Sequence, residues 1–214
     1  MEEKEKAVYY FKESLKYFND ALYINPNKKE FLNHKGVALQ QLYDIEPSEK
    51  TKYDLGNTLE LISSLSPQYG KGQLNYASFM VRELRNMLGL KPLSDFPDYQ
   101  TKISKEYTFE TLNKYALAAK NKIISAKELC PSMINCDYKM GELLTLIIMI
   151  KRDYKRKYDQ DVEEANKAFR DAEEKNKEHL SYLYCKYAYL TLWDETKKEA
   201  ENVKSLIKRK KNIK

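Results

Sequence analysis

An all-α fold of antiparallel helix pairs is predicted by three features of the chain. Glycine and proline are scarce, six of each in 214 residues, while Lys, Glu, Leu and Tyr abound. Helix interiors exclude the first two and accept the others. Apolar residues recur at helical spacing, and one local pattern surrounds Pro26, Pro67 and Pro131. A chain of this length can bury about 70% of its unfolded surface as one domain, so we expect a single helical repeat domain over 1–214 that needs no disulfide or metal.

The pattern is specific in its offsets. Phe18, Ala21 and Ile24 stand eight, five and two residues before Pro26; Leu59, Ile62 and Leu65 precede Pro67, and Ile123, Ala126 and Leu129 precede Pro131, in the same way. We read these three offsets as one helical face. Ten places after each proline stands a small residue, Gly36, Ala77 or Gly141, where a second helix can approach closely. Asn25 and Ser66 can cap the following helix or end the preceding one, and the proline turns the chain. A fourth, degenerate copy sets Ala165, Phe169 and Ala172 twelve, eight and five residues before Lys177, matching Ala119, Ile123 and Ala126 before Pro131. One amphipathic hairpin leaves an apolar face uncovered, so neighbours must stack, and the expected product is a solenoid.

The helix pairs are expected at 3–43, 48–88, 107–154 and 160–192. Residues 89–106, with two prolines and no clean period, read as a long internal loop, either functional or packed along the edge of the stack. The run "LLTLIIMI" at 143–150 is far shorter than the roughly 20 residues that span a bilayer. It predicts a helix buried on all sides, and no membrane span. Residues 194–214 form a capping helix, with Ala200, Val203, Leu206 and Ile207 on one stripe. Its tail is basic: Lys204, Lys208, Arg209, Lys210, Lys211 and Lys214. That is a solvated end or a contact for an acidic partner.

Reactive chemistry is not expected: no catalytic residue, no cofactor and no metal site. His34 and His179 lie in different repeats without a motif around either. Cys130 and Cys136 lack zinc-site spacing and read as small buried residues, and "YGKGQ" at 69–73 lacks the spacer and hydroxyl of a phosphate loop. The acidic stretch "DVEEANKAFRDAEE" reads as a solvated helix face. Three cysteines that cannot all pair, with a charged N-terminus, favour a reducing, cytoplasmic setting. Eighteen tyrosines fill joints between helices or form a binding face. Tyr182, Tyr184, Tyr187 and Tyr189 cannot all point inward, so some must meet solvent, another helix, a partner or a second copy in a homodimer.

The small/aromatic/small face before a proline, the "NPN" at 25–27 and the glycines of "HKGVAL" and "YKMGELL" together resemble tetratricopeptide repeats. The joints lie 41, 64 and 46 residues apart, against the family's period of 34, so insertions are expected. Leu55, where the family has a small residue, and Lys35, where it has an apolar one, also depart from its pattern. The resemblance implies a right-handed α-solenoid, a TPR-like superhelix whose concave groove binds an extended peptide or helix of another protein without catalysis. Counting from each joint, the implied groove positions are Asn33, His34 and Val37, then Lys71, Asn75, Ser78 and Arg82. From the third joint they are Asn135, Tyr138, Lys139 and Glu142. The alternative for these positions is ordinary polar surface. Some family members clamp a C-terminal carboxylate; Asn75 and Lys139 sit suitably for that, but Val37 and Asn135 do not, so the clamp is not expected. Lys71, Arg82 and Lys139 would favour an acidic or amide-rich peptide. A second reading, association with nucleic acid, rests on the net charge of +6, the basic tail and "KRDYKRK" at 151–157.

Overall fold

The computed structural model describes residues 3–97 and 99–212. Among these it contains nine α-helices and no strand. They are α1 (Glu3–Ile24), α2 (Lys29–Ile45), α3 (Glu49–Leu65), α4 (Gly70–Met87), α5 (Phe109–Leu129), α6 (Ile134–Asp153), α7 (Asp159–Asn176), α8 (Leu180–Leu190) and α9 (Lys197–Asn212), with 3-10 turns at Leu93–Asp95 and Asp194–Thr196. Helices adjacent in sequence pack together from α1 to α3 and from α5 to α9, and the joints within them are short enough to enforce antiparallel neighbours. Lys214 of the basic tail lies outside the described residues.

Each proline joint closes with the same two hydrogen bonds. The amide just before the proline donates to the carbonyl five places before the proline: Asn25 to Ala21 at 3.0 Å, Ser66 to Ile62 at 3.0 Å, Cys130 to Ala126 at 2.9 Å. The amide two places after the proline donates to the carbonyl just before it: Lys28 to Asn25 at 3.2 Å, Tyr69 to Ser66 at 2.9 Å, Met133 to Cys130 at 3.0 Å. Around Lys177 the second bond recurs without a proline, His179 to Asn176 at 3.2 Å. Proline suits the position between them because it has no N–H to satisfy and its φ is fixed. Asn25 and Ser66 therefore end the preceding helix. The cap residue of α2 is Lys28, and its side chain makes no cap bond.

The apolar face follows the offsets twelve, eight and five before the joint. Leu55, Leu59 and Ile62 in α3, Ala119, Ile123 and Ala126 in α5, and Ala165, Phe169 and Ala172 in α7 are all buried. Residues two before the proline are exposed each time: Ile24 84%, Leu65 40%, Leu129 42%. The offsets eight, five and two are thus not one face. Six residues turn a helix through about 600°, which leaves the last side chain about 120° from the first.

The chain divides into two compact units, Met1–Tyr76 and Ala77–Lys214, with the division inside α4. In the first, α2 packs on both α1 and α3. It buries Leu32, Gly36, Ala38, Leu39 and Leu42, whereas α1 has no buried residue. Ser63 donates to Gln73 Oε1 at 2.7 Å and Gln73 donates to the Ser63 carbonyl at 2.9 Å, so the α3–α4 turn is pinned by a satisfied buried pair.

In the second unit α6 is central, packed on α5, α7 and α8, with α9 on α8. Every residue from Leu143 to Ile150 is buried. Residues 88–97 and 99–108 lie along this unit as a strap: Tyr99 N–H donates to Thr191 Oγ1 at 3.1 Å, Ile103 N–H to Asp153 Oδ2 at 2.9 Å, and Arg152 donates to the carbonyls of Tyr99 and Thr101. Phe96 turns the strap at φ +50°, a left-handed conformation unusual for a bulky residue. Its ring packs against Tyr184 and Tyr187.

Gly141 shows why a small residue recurs after the joint. A Cβ built there would lie 2.7 Å from the Phe169 ring of α7. Gly141→Ala should therefore lower stability by about 1–3 kcal/mol through overpacking, measured by urea denaturation. An unchanged midpoint would show that the α6–α7 contact is loose.

Candidate functional site

The groove positions implied by the sequence divide between the two units. In the first, Asn33 and Asn75 are half-buried, while His34, Val37 and Lys71 are exposed; His34 stacks on Phe18 with centroids 6.0 Å apart. In the second, Ser78, Arg82, Asn135 and Lys139 are half-buried, and Tyr138 and Glu142 are buried. Tyr138 stacks on His179 at 5.3 Å. Lys139 and Glu142 are drawn together at 2.7 Å.

Glu142 is the centre of an ionic core joining α4, α6 and α8. Its carboxylate, 1% exposed, pairs with Arg85 as well as Lys139, and the Cys185 thiol donates to it at 3.5 Å. Burial, aided by the positive charges of Arg85 and Arg82, lowers the Lys139 pKa to about 8. Burial also raises the Cys185 thiol. One carboxylate shared by two cations is a lock between helices, since each charge depends on the others once water is excluded.

The tyrosines of α8 are largely absorbed by packing. Tyr182, Tyr187 and Tyr189 are buried, with Phe169 and Phe96 among their neighbours. The basic tail is partly engaged too. The Lys204 ammonium lies 5.6 Å from the Phe96 ring centre, that of Lys211 5.1 Å from the Tyr184 ring, and Lys210 pairs with Glu178 at 2.9 Å. Lys208 and Arg209 remain exposed.

A cleft of about 690 Å³ lies between α7, α8, the 3-10 turn at 194–196 and the start of α9. Phe169, Tyr189, Leu190 and Trp193 form its apolar side. Tyr189 and Trp193 meet edge to face with centroids 4.9 Å apart. Burial pushes the Tyr189 phenol up to about 12, so it stays protonated and donates to Asn166 Oδ1 at 2.8 Å. Asp159, Glu163, Glu173, Glu195 and Glu199 supply carboxylates, against the two cations Arg170 and Lys186. Lys186 bridges Glu173 on α7 at 3.2 Å and Glu199 on α9 at 3.6 Å. The surface offers aromatic rings, carboxylates and an amide. Among the described residues, no group of three or more His, Cys, Asp and Glu could hold a metal ion, and no helix is long and apolar enough to cross a membrane.

Sequence reasoning missed this cleft because three of its five acids, Asp159, Glu163 and Glu173, lie on α7 in a stretch that reads as solvent-facing, and the other two, Glu195 and Glu199, come from beyond α8. The available signal was "WDE" at 193–195, where the sole tryptophan adjoins two acids.

The ionic core yields a graded expectation. Glu142→Gln leaves Arg85 and Lys139 facing each other without an anion and should cost about 3–5 kcal/mol. Lys139→Met preserves the Arg85–Glu142 pair and should cost much less. Chemical denaturation of both variants checks the order; equal losses would remove Glu142 from its central place. In comparison with known proteins, no family model matches the chain and no curated protein matches it significantly.

Proposed function

We propose that the chain is a non-enzymatic protein-interaction module, a divergent relative of the tetratricopeptide repeats whose helix pairs stack in a right-handed solenoid. It binds a peptide or helix of another protein, in a reducing compartment such as the cytoplasm. The recurring joint supports the repeat reading, because two identical hydrogen bonds at three prolines mark one unit used several times.

The observation that carries the function is the α7–α9 cleft. A preformed concavity with aromatic residues and a few polar groups is the form that ligand sites take. Buried aromatics at such a position are the usual anchors of binding energy.

Selection of peptides from a displayed random library against the purified full chain tests this reading. Selected peptides should bind with Kd of about 1–100 μM, or roughly −8 to −5 kcal/mol, and Trp193→Ala should weaken them at least tenfold while the chain keeps its helical circular-dichroism spectrum and a cooperative unfolding transition. Failure to select any saturable binder would refute the module. Binders indifferent to Trp193→Ala would move the site elsewhere.

A further inference from the structure

We propose that the α7–α9 cleft receives a cationic side chain, arginine above all, from a basic segment of a partner protein. This inference rests on the reading of the chain as an interaction module and names what its cleft selects.

The charge of the lining sets the sign of the ligand. Five carboxylates and two cations line the cleft, on a chain whose net charge is +6. Negative charge is therefore concentrated at this place against the trend of the molecule. Lys186 is already shared by Glu173 and Glu199. Asp159, Glu163 and Glu195 make no ion pair among the described residues, and all three are exposed. Asp159 stands in the first turn of α7, where the helix dipole favours an anion. Glu163 and Glu195 have no such partner, and they come from two different elements, α7 and the 3-10 turn. A cation between them gains from both at once.

The aromatic residues set the shape. Trp193 is half-buried and braced edge-on by Tyr189, and Tyr189 is itself held by Asn166. A guanidinium both stacks on an aromatic face and forks onto a carboxylate, which a compact ammonium or an uncharged amide cannot do equally well. The overall positive charge works against indiscriminate capture, because a basic peptide is repelled elsewhere on the molecule.

The test uses Trp193, the only tryptophan, as its own reporter. The full chain is titrated with tetra-arginine and with tetra-citrulline, an isostere lacking the charge. Tetra-arginine should change the tryptophan emission saturably, with citrulline at least tenfold weaker. Glu163→Gln/Glu195→Gln should weaken tetra-arginine at least tenfold without changing the melting temperature, since neither side chain holds the fold. Equal response to both peptides, or an unaffected double variant, overturns the inference. In either case a library-selected peptide that still binds and still depends on Trp193 keeps the module reading intact, whereas loss of that binder fails both. Sedimentation of the unliganded chain completes the test. A monomer leaves the cleft open to a partner, while self-association abolished by the double variant would show that a second copy fills it and would also overturn the inference.

Discussion

An amphipathic helix of these lengths is marginal alone in water, and its apolar stripe has to be covered by something else. Here the stripe steps by four and three residues, as in Ala165, Phe169 and Ala172, which keeps all three on one side of α7. What it meets is the small residue of the preceding pair: the Phe169 ring lies where a Gly141 side chain would begin. Close approach and bulky filler are therefore one feature seen from two helices. The proline joints make it repeatable, because the same pair of hydrogen bonds fixes where one helix stops and the next begins.

The deep burial of α6 has electrostatic consequences. Asp137 and Glu142 are carried into the interior with the apolar residues around them, and a lone buried carboxylate is too costly to keep ionised. Both are supplied with cations. Asp137 meets Lys127 of α5 at 2.7 Å and Lys175 of α7 at 2.5 Å, and Glu142 meets Arg85 and Lys139. Apolar packing tolerates sliding of one helix along another, whereas these pairs do not. They act chiefly on register, since a buried pair adds little net stability over a well-packed apolar alternative.

The helices were legible because periodicity and proline are local signals. All four helix pairs and the final helix fall where spacing puts them. One error was rotational: Ile24, Leu65 and Leu129 looked inward at a six-residue remove and point outward. The strap was legible only as an absence of period. Its anchors, Thr191 and Asp153, are distant in sequence, and nothing near residue 100 announces them. At the candidate groove positions, residue type suggested polar surface, yet Glu142 is interior because Arg85 lies opposite it in space. Partners of that kind are not encoded in either segment separately. The cleft was hidden for the same reason, its residues being drawn from four elements.

The cleft can be traced to a mismatch of helix lengths. In this pair α7 has 18 residues and α8 only 11, so at 1.5 Å per residue α8 falls short by about 10 Å. An antiparallel neighbour that stops early leaves the first turns of α7 uncovered, and the residues there are Tyr158, Asp159, Val162 and Glu163. The chain turns back through 194–196 and sets Trp193 and Glu195 across the gap instead of a continuing helix. Thr196 anchors that turn, its hydroxyl donating to the Leu190 and Trp193 carbonyls, while Lys186 ties α7 and α9 on either side. A longer α8 would fill the space with its own side chains. The same shortening that deprives α7 of a partner over two turns thus creates an open, aromatic and acidic surface held by rigid elements, which is the condition for selective binding at low entropic cost.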